Sequence, residues 1–70
     1  MITEEKSLTE LFTFEQERCR ELLTEYRKIG PHGAFGTLHI SNLLRRADQA
    51  VMSGDVVAML HLYETMKECQ

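Results

Sequence analysis

Seventy residues with a formal net charge of −3, 43% hydrophobic and 27% charged, describe one small domain, too apolar for wholesale disorder. A core of that size supplies only a few kcal/mol, so a disulfide, a metal or a partner chain is expected to help hold it. Neither half of the chain has the basic excess that phosphate binding needs, which argues against direct nucleic-acid binding.

The opening "MITEEKSLTE" has early acids and no apolar h-region. A secretory leader is therefore not expected, no run reaches membrane-spanning length, and the cytoplasm is the expected location. Cys19 and Cys69 are then expected as free thiols. Their spacing of fifty residues does not say whether the sulfurs meet.

The first helix runs to Ile29. Its start has two solutions, because "SLTE" and "TFEQ" both read as capping boxes. Either the helix begins near Leu8, or a short turn or arm over residues 1–12 precedes a helical domain over residues 13–70. In both cases Phe12, Cys19, Leu22, Leu23, Tyr26 and Ile29 share one stripe at helical spacing. Glu17–Glu21, Arg18–Glu25 and Glu21–Lys28 are expected on the solvated side.

The stretch "KIGPHGAFGT" follows, with glycines at 30, 33 and 36. A phosphate loop would need a lysine at the following helix start, or a strand before the glycines; neither is present, so the stretch is read as a turn. Gly30 is expected to close the first helix in the left-handed conformation, and Pro31 to block its continuation. Gly36 implies close approach of another backbone, with Phe35 tucked beneath the turn.

Between Ala34 and Ser53, Ile40, Leu43, Leu44, Ala47, Ala50 and Val51 recur at three and four, predicting an amphipathic second helix. "SGD" ends it and caps the next, which makes the second and third helices antiparallel neighbours. The third segment, residues 56 to about 68, contains "VVAMLHLY". Val56, Met59, Leu60, Tyr63 and Met66 form one face, flanked by Val57 and Leu62. An arc this wide exceeds what two other helices of one chain can cover.

The expected fold is therefore all-α: a compact bundle of two to three helices per chain, paired as a homodimer. Val56, Met59, Leu60, Tyr63 and Met66, with Leu22 and Tyr26, are expected to form the core or the dimer interface. A charge at Leu60 or Tyr63 should then unfold the protein. Leu8, Phe12, Phe14, Val57 and Leu62 are the candidate partner surface. Met52, Met59 and Met66 suit an adaptable surface, although core filling is the commoner use of methionine.

Catalytic chemistry is not legible. His32, His39 and His61 do not stand at metal-ligand spacing with one another or with the cysteines. No catalytic residue, metal site, cofactor or small-molecule substrate is expected, and no enzyme activity. A helix-turn-helix reading would give the last helix one lysine and no arginine, a poor recognition helix. A tetratricopeptide-like reading of "ADQAVMSGDVVAMLHLYETMK" has only one copy, where solenoids need several.

The block "FEQERCRELLTEYRKIGPHGAFG", with "LLRRADQAVMSGDVVAM" and "YETMK", resembles small proteins of temperate phages and prophages of Gram-negative bacteria. Among them is a Pseudomonas phage protein with anti-quorum-sensing and anti-pilus activity. The resemblance spans residues 13–67 and rests on packing and turn residues. It implies a compact helical dimer that inhibits host proteins stoichiometrically: the DNA-binding region of a quorum-sensing transcription activator and the ATPase of pilus assembly. No contact residues carry over. The expected partners are thus a second copy and a host protein, in the host's cytoplasm. An assembly adaptor of a phage particle is the alternative, and a DNA-binding regulator a weaker one.

Overall fold

A computed structural model describes residues 7–69. Three helices, α1 (Leu8–Ile29), α2 (Ala34–Ser53) and α3 (Val56–Lys67), pack against one another, with a 3-10 turn at Gly30–Gly33 between the first two. The fold is all-α, with no strand among the described residues.

The first capping box starts α1. The Ser7 hydroxyl accepts the Glu10 N–H at 3.1 Å, and the Glu10 carboxylate accepts the Ser7 N–H at 3.0 Å. Two otherwise unpaired amide donors are satisfied reciprocally. The second box stays unused: Thr13 lies inside the helix, and the Gln16 amide instead donates to Asp48 of α2 at 3.2 Å. The helix passes through residues 12 and 13 without a break. Of the expected arm, residues 1–6 lie outside the described residues.

Gly30 takes a positive φ of 77°, but its ψ of −137° is not the left-handed helical value expected for it. Its N–H returns to the Arg27 carbonyl, and Pro31 sits in the first turn of the 3-10 segment, where it has no N–H to satisfy. The close backbone approach occurs at Gly33 rather than Gly36. A methyl group at Gly33 would strike the Tyr26 carbonyl; one at Gly36 would lie 2.7 Å from the Tyr26 ring. The two glycines thus take the side facing α1, and Phe35 between them points outward, 87% exposed, not tucked in.

At the other end α2 closes in a Schellman motif. Gly54, left-handed at φ 68°, donates to the Val51 carbonyl at 3.2 Å, and Asp55 donates to the Ala50 carbonyl at 3.0 Å. The Asp55 carboxylate then accepts the Ala58 N–H at 3.1 Å and opens α3. One three-residue stretch, Ser53 to Asp55, finishes one helix and starts the next.

The core contains Phe12 and Cys19 from α1, the predicted Ile40–Leu43–Leu44–Ala47–Ala50 stripe of α2, and Met59 and Met66 from α3. Leu22, Leu23, Tyr26 and Tyr63 pack against it, partly buried. Phe12, expected as partner surface, is wholly buried, because it stands seven residues before Cys19 on the inward stripe. Leu8 and Leu62, also expected there, are partly buried against the core. Phe14 and Val57 are exposed. Val56 and Leu60 are about half exposed and are not core; Ile29 and Val51, at the edges of their stripes, are exposed as well.

Candidate functional site: an apolar seam beside a clamped helix end

Arg18 defines how α1 meets α3. Its guanidinium donates to the backbone carbonyl of Cys69 at 2.9 Å and to that of Met66, and is braced by the Glu15 carboxylate at 2.9 Å. The last carbonyls of a helix lack intrahelical donors and carry partial negative charge, so a cation there satisfies hydrogen bonds and the helix dipole together. The hydrogen bond that Arg18 donates to Glu15 raises the Arg18 pKa above its ordinary value, against a smaller opposing effect of burial. Arg18, expected on the solvated side of α1, is partly buried at this clamp instead. Glu17, Glu21 and Glu25 stay exposed in a row along α1, and Lys28, exposed as well, meets Glu25 at 3.5 Å.

One available signal for this clamp was Glu15. It stands three residues after Phe12 and four before Cys19, so it falls on the inward stripe, where an acid needs a cation beside it. Gln16, also buried, belongs to a second polar group: Asp48 accepts from Gln16 and lies 3.7 Å from Arg20.

The clamp fixes which side of each helix faces the α1/α3 seam. Leu11 and Phe14 stand seven and four residues before Arg18 on α1, on the same side. On α3, Ala58 and Leu62 line the groove toward α2. Val56, Leu60 and Tyr63 therefore form the row on the other side of the Met59–Met66 ridge, toward α1. Leu11 and Tyr63 are half-buried in the seam, while Phe14 (61%), Val56 (54%) and Leu60 (48%) remain exposed along it. Lys67 closes the row, its ammonium 5.2 Å from the Tyr63 ring centre. Of the residues expected at a dimer interface, the structure brings Val56, Leu60 and Tyr63 to this seam, and of the expected partner surface it adds Phe14.

Two other features are open surfaces. The α2/α3 groove, about 460 Å³, is lined in part by Arg46, Val57, His61 and Leu62. A second apolar group, Ile29, Phe35 and Leu38, projects at the glycine-turn end. His32, His39 and His61 are exposed on separate elements, and the described residues contain no group of three or more His, Cys, Asp or Glu side chains that could hold a metal. No described helix is long and apolar enough to cross a membrane.

Cys19 is fully buried, its thiol 3.9 Å from the Met66 carbonyl. Burial, reinforced by the neighbouring Cys69, pushes its pKa up from 9.0 to about 11. Cys69 is half-buried on the turn after α3.

No family model, curated protein or solved structure matches this chain.

Proposed function

We propose that this protein is a non-enzymatic interaction module, which pairs with a second copy along the α1/α3 seam and, as a dimer, binds and inhibits a host regulatory protein. The observation that carries the pairing is the exposure of Phe14, Val56 and Leu60 in one row beside a seam already clamped by Arg18. An exposed row of large apolar side chains on a small helical bundle is the surface a second helix pair covers. Self-pairing is the economical occupant, because a two-fold axis lets one row bury its own copy.

The inhibitory role draws on the resemblance to small phage proteins and on charge. The exposed acidic row of α1, Glu17, Glu21 and Glu25, complements the basic DNA-reading surface of a transcription activator, which favours rapid encounter. The pilus-assembly ATPase is the second partner that the resemblance proposes.

Two measurements test this reading. Equilibrium sedimentation at micromolar concentration should give twice the chain mass for the wild type and a single chain for Leu60→Glu, both helical by circular dichroism. A wild-type monomer refutes the pairing. In a gel shift, the dimer should strip the DNA-binding region of a quorum-sensing activator from its operator at fixed stoichiometry; an undisturbed shift refutes the inhibition.

A further inference from the structure

We infer that Cys19 and Cys69 form a reversible intrachain disulfide that locks the end of α3 onto α1, a modification site independent of the pairing surface. Fifty residues separate them in sequence, yet both are anchored on one atom. The Cys19 thiol lies 3.9 Å from the Met66 carbonyl oxygen, and the Cys69 N–H donates to the same oxygen at 3.1 Å. The Cys69 thiol itself donates to the Thr65 carbonyl at 3.7 Å, one residue before the carbonyl that the Cys19 thiol faces. Arg18 holds the arrangement in register, since it binds the carbonyls of both Met66 and Cys69.

The two thiols differ in access. Cys19 is closed to solvent and Cys69 is not. The outer sulfur therefore meets a small oxidant first and the inner one resolves it. With hydrogen peroxide as oxidant, the Cys69 thiolate attacks one peroxide oxygen; the O–O bond breaks, and the departing hydroxide takes up a proton and leaves as water. Cys69 is then a sulfenic acid. The Cys19 sulfur attacks the sulfenic sulfur, the S–O bond breaks, the Cys19 proton is lost, and a second water departs. Two thiols have given two electrons and two protons to one peroxide. A dithiol reductant reverses the change by thiol–disulfide exchange.

The lock acts just past the last helix. There the Arg18 clamp, short turn bonds, the Cys69 thiol on the Thr65 carbonyl and partial packing of Cys69 against the core hold the chain without a covalent tie. A covalent tie there closes a long loop, and the chain-entropy model gives such ties a large effect on the unfolded state.

The experiment uses the full chain and hydrogen peroxide. Intact-mass spectrometry should show loss of two hydrogens, peptide mapping should show Cys19 joined to Cys69, and sedimentation should be unchanged. Melting temperature should rise on the order of 10 °C and return after dithiothreitol. Cys19→Ser should instead accumulate a singly oxygenated Cys69, and Cys69→Ser should react slowly or not at all. Oxygen addition to Cys69 in the wild type with Cys19 still free, or cross-links only between chains, overturns the inference.

Discussion

Arg18, in the middle of α1, donates to the carbonyl of Cys69, fifty-one residues away, at 2.9 Å. This bond and its companion to Met66, whose carbonyl also accepts the Cys69 N–H, tie the end of α3 to a side chain from another helix. Glu15 holds the guanidinium in place from one turn earlier. Hydrogen bonds from a charged group are worth about 1.5–3 kcal/mol each, and partial exposure of Arg18 puts the whole clamp near that range, not at its multiple. Arg18→Ala should lower stability by about 2 kcal/mol in urea denaturation. Arg18→Lys should recover only part of the loss, because an ammonium lacks the planar fork that reaches two carbonyls and a carboxylate together. Amide exchange should accelerate first in the last turn of α3.

The two glycines near Tyr26 differ in what they face. At Gly33 the obstacle to a Cβ is the Tyr26 backbone carbonyl, which cannot move without bending α1. At Gly36 the obstacle is the Tyr26 ring, which can shift. Gly33→Ala should therefore cost several kcal/mol, roughly 2–4. Gly36→Ala should cost less, because a gain in helix propensity of about 1 kcal/mol offsets part of the repacking. Equal losses in thermal melts of the two variants would contradict this division.

Charge on α3 should have opposite consequences at adjacent residues. Met59 is buried in the core and Leu60 is 48% exposed beside the seam. Met59→Glu should abolish helicity, since an unpaired buried carboxylate costs a large share of a small domain's total of about 5–15 kcal/mol. Leu60→Glu should keep its circular dichroism spectrum. This revises the sequence-based expectation that a charge at Leu60 unfolds the chain; the same expectation for Tyr63, which is half-buried, stands to be measured alongside it.

The Cys19 thiol links stability to alkaline pH. Its folded pKa, about 11, lies above the ordinary 9.0. In that interval the folded state holds a proton that the unfolded state has lost, so stability falls as pH rises. The contribution is present in full below about pH 9 and is gone above about pH 11. Melting temperature measured between pH 8 and 12 (roughly the span of both values) should fall more steeply for the wild type than for Cys19→Ala.

Local signals carried most of the secondary structure. The "SLTE" box, the "SGD" junction and the α2 stripe are all short-range patterns, and each acts through atoms within a turn or two of itself. The same patterns left the start of α1 open, because "TFEQ" is as good a box by sequence. Burial of Phe12 and partial burial of Leu8 decided it, since a helix starting later would leave both without a regular inward position.

The composition and periodicity of this chain were enough to determine an all-α fold, the α2/α3 junction and an apolar surplus on α3. Only the tertiary structure decided where that surplus lies, that Arg18 reaches across to the end of α3, and that two cysteines fifty residues apart share one carbonyl. The reason is physical: capping and helical periodicity depend on neighbours three or four residues away. Which edge of a helix is covered, and which side chain reaches across to another helix, depends on how three cylinders are set side by side.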